Sequence, residues 1–208
     1  MRLTVFGGSG RIGIPLINQA LAAGQEVTAL VRTPAKLAIQ HERLHVLQGD
    51  ALDAGQVAAA IAGADAVLSV LGQTHPPTKD LLTTAVGNML AGMAANGVHR
   101  FVYLTGAGVR HPNDTPGLPD KVMGRLLKLM AGEVLADSER AVDLIKSSPL
   151  DWVIVRAPRL SEEPAKGSYR SGYIQPGFAA ISRADVAGFM LEQASDDQYV
   201  REMPVISY

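Results

Sequence analysis

A cluster of glycines near the start of the chain is the feature that most directly predicts chemistry. It has the sequence Gly7-Gly8-Ser9-Gly10-Arg11-Ile12-Gly13 and joins an apolar run that ends at Phe6 to a segment rich in Ala and Leu. Between a strand and a helix, glycines let a pyrophosphate approach backbone N–H groups, and the helix N-terminus adds partial positive charge. We therefore predict a dinucleotide site, with an ordinary tight turn as the alternative. The expected contacts are Gly7, Gly10, Arg11, Ile12 and Gly13.

The glycines fit two spacings. Gly8, Gly10 and Gly13 form G-x-G-x-x-G, whereas Gly7, Gly10 and Gly13 form G-x-x-G-x-x-G. Because the first strand is expected to end at Phe6, we favour the second spacing, in which Gly7 makes the turn.

The end of the second predicted strand indicates which dinucleotide is bound. In NAD-specific sites an acidic residue at this position binds the ribose 2′-hydroxyl. Here the strand ends in Leu30-Val31-Arg32-Thr33, and the acidic Glu26 lies at its other end. Arg32 and Arg11 together can clamp a 2′-phosphate with charge-assisted hydrogen bonds, which predicts NADP(H). The alternative is that both arginines are solvated surface charges.

Loops after the later strands are expected to complete the site, since the crevice of a parallel sheet lies at the carboxyl ends of its strands. After the third strand, Asp50 either accepts a hydrogen bond from the adenine amino group or caps the next turn. The other expected neighbours of the cofactor are Leu71 and Gly72 after the fourth strand, Thr105 after the fifth, and Arg156–Leu160, including Pro158, after the sixth.

The histidines and the missing cysteines exclude several classes of site. The chain has five histidines and no cysteine, which rules out disulfides, thiolate catalysis and cysteine-bound zinc. No H-E-x-x-H spacing is present, so we predict no metal site. His75 and His111 fall in loops on the crevice side, where each either contacts substrate or adds only polarity to its loop.

Alternating elements predict how these residues are positioned. Buried apolar runs alternate with helical segments, which predicts a doubly wound Rossmann fold with a mostly parallel sheet of order 3-2-1-4-5-6 plus a late strand, and helices on both faces. The expected strands are Leu3–Phe6, Val27–Val31, His45–Leu47, Ala66–Leu71, Phe101–Leu104, Trp152–Val155 and Met203–Ser207. The expected helices are Ile12–Ala23, Asp53–Ala62, Lys79–Asn96, Asp120–Lys146 and one that opens at Ser182.

The last quarter of the chain is less regular. Residues Ala157–Gly177 are rich in proline and glycine and predict a loop with a small hairpin. Ser182 and Asp185 have the spacing of a capping box at the start of the last helix. We expect a single NAD(P)-binding domain over residues 1–208, in which residues 157–208 complete the substrate side.

Composition bounds the partners. The 208 residues are 47% hydrophobic and carry a net charge of −1, so no basic field is available to attract nucleic acid or anionic lipid. No apolar stretch is long enough to span a membrane, and no signal peptide is evident. We therefore expect a cytoplasmic protein, a monomer or a small homo-oligomer, whose partner is a small planar molecule and not nucleic acid or membrane.

Five segments together resemble the atypical short-chain dehydrogenase/reductases: Gly7–Gly13, Arg32, Gly49-Asp50, Thr105-Gly106-Ala107 and Arg156-Ala157-Pro158. Within them the chain is most similar to the NAD(P)H-binding group that contains flavin reductase/biliverdin-IXβ reductase, with NmrA-like relatives, and Ile181–Leu191 is similar to the last helix of that group. The resemblance implies a Rossmann fold, NADPH as hydride donor, and an open site for flavins or other planar acceptors. Two residues of these loops are catalytic candidates by their own chemistry, Thr105 as a hydrogen-bond donor to the nicotinamide or the acceptor and Arg159 as a stabiliser of negative charge on the reduced ring.

The chain departs from that family in three places. The Tyr-x-x-x-Lys pair of typical short-chain dehydrogenases is absent, which makes carbonyl chemistry with a tyrosine acid unexpected. Gly106 replaces a serine, and Arg159 replaces a histidine, of the flavin reductase pattern. The leading hypothesis is an NADPH-dependent reductase of a flavin, quinone or similar planar acceptor. The alternative is a noncatalytic NADP(H)-binding redox sensor that regulates a partner.

Overall fold

A computed structural model describes residues 1–74, 76–114, 118–176 and 179–208, and it describes side chains in all of these except residues 118–131. The strands in the described residues are β1 (Arg2–Phe6), β2 (Glu26–Val31), β3 (Leu44–Gln48), β4 (Ala66–Ser69), β5 (Arg100–Gly106), β6 (Asp151–Ala157), β7 (Leu160–Ser161), β8 (Arg170–Gly172), β9 (Ile181–Ser182) and β10 (Val205–Ser207). The α-helices are α1 (Gly13–Ala22), α2 (Ala54–Ile61), α3 (Leu81–Asn96), α4 (Leu118–Lys146) and α5 (Arg183–Glu192), and a short 3₁₀ turn covers Pro34–Lys36.

Eight strands form one sheet in the order β3-β2-β1-β4-β5-β6-β10-β8. All neighbours are parallel except β8, which runs antiparallel to β10 at the edge. The predicted order 3-2-1-4-5-6 with a late strand is therefore confirmed, and the fold is Rossmann-like. No helix in the described part of the chain is long and apolar enough to cross a membrane.

Each face of the sheet is covered by its own group of helices, because successive strand residues point to opposite faces. Leu3 and Val5 belong to the core under α1 and α5. Phe6 belongs to the core under α2, α3 and α4. Thr4, buried on the same face as Phe6, donates from its hydroxyl to the carbonyl of Ala60 in α2 at 2.8 Å. Burial on both faces explains why these strands are continuously apolar in sequence.

Several strand bounds differ from the sequence prediction: β3, β5 and β6 extend further than expected, whereas β4 and β10 are shorter. β4 ends at Ser69 and not at Leu71, although the Val70 N–H still donates to the Phe6 carbonyl at 3.0 Å. β10 begins at Val205 and not at Met203, because Pro204 has no N–H to donate to the ladder. The Pro204 carbonyl still accepts a hydrogen bond from the Arg156 N–H at 2.9 Å.

The small hairpin predicted within Ala157–Gly177 is wrong. β7 pairs in parallel with β9, and β8 pairs antiparallel with β10, so both short strands pair with chain that comes later in the sequence. The capping box is half formed. Ser182 accepts from the Ala184 N–H at 3.1 Å, but the buried Asp185 carboxylate instead accepts the N–H groups of Lys166 and Gly167 at 2.9 and 3.0 Å. Asp185 thereby anchors the substrate-side loop to the start of α5.

Candidate functional site

The glycine loop folds so tightly that side chains cannot be added at two of its positions. Gly7 has φ of +81°, and a Cβ there would lie 2.9 Å from the backbone of Val70 and Leu71. A Cβ on Gly13 would lie 2.2 Å from the Gly7 carbonyl oxygen. Gly10 is more tolerant, since its Cβ would lie 3.1 Å from the same oxygen. Gly7 is the first residue after β1, and Gly8 has no positive φ, which matches the spacing that begins at Gly7.

The N-terminus of α1 presents backbone donors to this loop. Ile12 is the N-cap residue, no side chain caps the helix, and its first turn contains no acidic residue. Within the described residues, the N–H groups of Arg11, Ile12 and Gly13 have no hydrogen-bond acceptor. Unsatisfied N–H groups at a helix N-terminus, beside a cradle that a Cβ would fill, fit the pyrophosphate of a dinucleotide.

An open cleft follows the ends of β2 and β3. It is lined by Arg32, Gln48, Gly49, Asp50 and Gln56. The Asp50 carboxylate accepts from the Leu52 N–H at 3.0 Å, so Asp50 caps its turn and lines the cleft as well. Arg32 is exposed and has no hydrogen bond or ion pair with the residues that the structure describes. The cleft therefore contains one arginine that makes no ion pair with the described residues, and it also contains the Asp50 carboxylate.

Arg11 is placed differently from the predicted clamp. Its Nη1 lies 3.2 Å from Glu162 Oε1, an oxygen that Arg183 also contacts at 2.8 Å. The Arg11 side chain is 76% exposed and Glu162 is 64% exposed, so the pair is a weak surface contact. A clamp of Arg11 with Arg32 is thus not assembled in advance, because a nearby carboxylate attracts Arg11. Sequence reasoning missed Glu162, which is distant in sequence and belongs to no motif.

The backbone of the loop after β4 lies against the glycine loop at Gly7. Leu71 is part of this approach, and Gly72 is exposed with open space around it. Thr105 is 8% exposed, and no described residue hydrogen-bonds its hydroxyl. Pro158 follows β6 directly, and the Arg159 carbonyl, next along the chain, accepts from the Ile181 N–H at 2.8 Å.

A side chain of α4, Asp137, forms hydrogen bonds that hold the loop after β4 in place. The buried Asp137 carboxylate accepts the N–H groups of Leu82 and Thr83 at 2.9 and 3.0 Å. The same carboxylate accepts from Gln73 Nε2 at 2.8 Å. Asp137 therefore caps α3, while Asp80 at the N-cap position makes no side-chain cap bond. Sequence reasoning missed Asp137, because the bonds connect helices that are distant in sequence.

The expectation that Arg156 lies near the nicotinamide is wrong for its side chain. The guanidinium is 1% exposed and forms two hydrogen bonds of 2.7 Å to the Asp114 carboxylate. Nε donates to the Met203 carbonyl at 2.8 Å, and Nη1 donates to the Val109 carbonyl at 3.2 Å. Burial alone would raise the pKa of Asp114, but the hydrogen bonds from Arg156 and from the His111 N–H lower it below its ordinary value. The pair fixes the loop after β5 against β6.

An aromatic pair lies beside this ion pair. The rings of His111 and Tyr173 have centroids 4.7 Å apart at an angle of 36°. The Tyr173 hydroxyl donates to Glu202, and burial together with that bond raises the pKa of Tyr173 to about 12. Burial and the positive charge of Arg156 lower the pKa of His111. The other crevice-side histidine, His75, lies outside the described residues.

The described residues contain no group of three or more His, Asp or Glu side chains that could hold a metal ion. The arrangement therefore consists of an anion cradle, a cleft lined by Arg32 and Asp50, and the loops after β5 and β6. Such an arrangement can bind a dinucleotide along the carboxyl edge of the sheet and a second molecule beside it.

Comparisons with known proteins agree with this geometry. A family model described as NAD(P)H-binding matches residues 7–197. The uncharacterized protein YwnB of Bacillus subtilis (strain 168) is 25% identical over 219 aligned positions, which cover 97% of this chain and 96% of YwnB. A 3 beta-hydroxysteroid dehydrogenase/Delta 5-->4-isomerase of Mycobacterium tuberculosis is 34% identical over 120 positions, covering 52% of this chain and 32% of that enzyme. ChuY, an anaerobillin reductase from Escherichia coli O157:H7, has the same fold, with a TM-score of 0.82 and 23% identity over 100% of this chain and 97% of ChuY.

Proposed function

The chain belongs to the NAD(P)H-binding family, and from this premise we propose that it is a reductase that uses NADPH to reduce a planar acceptor, a flavin or a quinone. The observation that carries the proposal is the combination of an anion cradle at α1 with Arg32, which makes no ion pair with the described residues, in the adjoining cleft. The cofactor is a nicotinamide dinucleotide, and the relatives with a stated activity include a dehydrogenase and a reductase.

The chain's own residues would hold the cofactor along the sheet edge. The free N–H groups of Arg11, Ile12 and Gly13 would bind the pyrophosphate. Arg32 would pair with the ribose 2′-phosphate, and Asp50 lies in the same cleft for the adenine. When bound, the reduced nicotinamide supplies a hydride.

The acceptor would lie against the loops after β5 and β6. Thr105 is positioned at the end of β5, where its unpartnered hydroxyl can donate to the nicotinamide amide or to the acceptor. Arg159 supplies positive charge beyond Pro158, where negative charge develops on a reduced ring. Hydride transfer to a flat ring depends mainly on stacking geometry and exclusion of water, so it does not require a tyrosine acid.

The test is NADPH oxidation by the purified protein with FMN, riboflavin, menadione and a bilin as separate acceptors, compared with NADH at the same concentrations. We expect turnover with at least one flavin or quinone and a preference for NADPH. Turnover with the bilin alone would exclude the proposed acceptor class.

A redox sensor is the second candidate, and it is favoured by the missing Tyr-x-x-x-Lys pair and by Gly106. A sensor binds NADP(H) tightly but does not oxidise NADPH with any acceptor at saturating concentration. If the protein binds NADPH but oxidises it with none of the acceptors, the reductase proposal is wrong and the redox-sensor proposal takes its place.

A further inference from the structure

The His111–Tyr173 pair is not used by the proposed function as described so far. His111 comes from the loop after β5, and Tyr173 directly follows β8, so two segments distant in sequence meet at the level of the β6 carboxyl end. Both side chains are partly exposed. Two half-exposed rings inclined by 36° at this edge of the sheet form an aromatic surface against which another ring can pack.

The pair is held rigidly from behind. The Arg156–Asp114 ion pair fixes the loop after β5, and the Asp114 carboxylate also accepts a hydrogen bond from the backbone N–H of His111 at 2.8 Å. The Arg156 guanidinium lies 5.8 Å from the centre of the Tyr173 ring. A buried ion pair is costly to desolvate and contributes little net stability, whereas pre-positioned loops are what a binding site requires. The rigid support therefore favours a role in binding over a role in stability.

The hydrogen bond at Nδ1 determines which nitrogen of His111 donates. Nδ1 accepts from the Asn113 N–H at 3.2 Å, so the neutral ring carries its proton on Nε2. Among the described residues, none accepts a hydrogen bond from Nε2. The lowered pKa of His111 keeps the ring neutral at pH 7. His111 thus offers a flat face and one N–H donor that no described residue accepts.

We propose that His111, supported by Tyr173, forms the subsite for the acceptor, with the imidazole inclined to the acceptor's ring so that it packs against that ring while Nε2–H reaches a carbonyl oxygen conjugated with it. This inference rests on the proposed function and assigns recognition of its acceptor to the ring carbonyl that flavins and quinones both carry. The acceptor gains a hydride from NADPH, which becomes NADP⁺, and a proton from solvent. The electron pair displaced by the hydride moves toward the acceptor's carbonyl, where a neutral imidazole donor stabilises the added charge.

The experiment measures acceptor binding without turnover. Lumiflavin and menadione are titrated into the protein saturated with NADP⁺, and the same titrations are repeated with His111→Phe and His111→Ala. The Phe variant keeps the stacking face and loses the donor, so we expect binding about threefold to tenfold weaker. The Ala variant loses both, and we expect a further loss of about threefold to tenfold.

His41→Ala is the matched control. Its Nδ1 also accepts an N–H two residues along, from Arg43 at 3.1 Å, but it precedes β3 at the opposite edge of the sheet. This control should bind both probes as the wild type does. The affinity for NADPH should be unchanged in all three variants, which shows that each variant is folded.

Two outcomes overturn the inference and separate it from the proposed function. If wild type and both His111 variants bind the probes equally and still oxidise NADPH, the proposed subsite is wrong and the proposed reductase activity stands. If the NADP⁺ complex of the wild type binds neither probe, the subsite and the planar-acceptor reductase both fail.

Discussion

Reversing the charge of Arg32 tests the predicted choice of cofactor. A charge-assisted hydrogen bond contributes about 1.5–3 kcal/mol, which corresponds to about 10- to 150-fold in affinity. Arg11 adds less than a free guanidinium, because it must first leave Glu162, a contact of about 0.2–1 kcal/mol for an exposed pair. Together these contacts should give the wild type a preference for NADPH over NADH of about 10²-fold.

Arg32→Asp should reverse that preference. The substitution removes the cation, repels the 2′-phosphate, and supplies an acceptor for the free ribose hydroxyl of NADH. We expect NADPH binding to weaken by at least the 10- to 150-fold contribution of the lost contact, and NADH to become the preferred cofactor.

The assay is calorimetric titration of wild type and variant with NADPH and NADH at one modest salt concentration, because salt screens exposed charges. Lys36→Asp is a matched control, since Lys36 is also exposed but does not line the cleft. Equal wild-type affinities, or the same affinity ratio in the Arg32 variant, would show that Arg32 is a solvated surface charge. If Lys36→Asp changed the ratio of NADPH to NADH affinity as much as Arg32→Asp does, the preference for NADPH would come from the overall positive charge of the surface and not from a direct contact with Arg32.

Three further changes separate binding, chemistry and stability. Gly10→Ala should fold and weaken NADPH and NADH alike in titrations, whereas Gly13→Ala should lower the thermal midpoint, because its Cβ would overlap the backbone. Tyr173→Phe should retain flavin reduction within about tenfold. Because the pKa of the Tyr173 phenol is about 12, its ionisation should cause no change in activity between pH 7 and 10. A loss of 10²-fold or more at unchanged cofactor affinity would instead show that Tyr173 acts as a general acid. Asp114→Asn should lower the free energy of unfolding in urea at pH 7 by about 3–5 kcal/mol, because Arg156 is left buried without its carboxylate. With the folded pKa of Asp114 below 3.8, this contribution is complete above that pH and should disappear only as the pH falls further; an equal cost at every pH would contradict the ion pair.

Most of the central sheet was predictable because β1, β2, β4, β5 and β6 are largely buried on both faces and each strand is separated from the next by a helix or a short connection. Local signals also sufficed at helix starts, as where Asp53 accepts the Gln56 N–H at 2.9 Å. The pairing of β7 with β9 was not predictable, since strands of two residues have no periodicity. Contacts such as Asp137 with Leu82 depend on how two helices pack, which no local pattern encodes.

The error over Arg156 has a more specific cause. Proline at 158 favours a strand end near it, and a strand that continues through Ala157 makes Arg156 a strand residue and not a loop residue. Val155 and Ala157 face the core under α1 and α5, so alternation turns the intervening arginine toward the other face. There a long cation at the end of a buried strand requires a carboxylate, and only a loop at the same edge can supply one, which is the place of Asp114. Arg159 lies beyond the end of β6, so this alternation does not turn its side chain into the core. Of the two arginines in Arg156–Leu160, Arg159 therefore stays the candidate for the acceptor side.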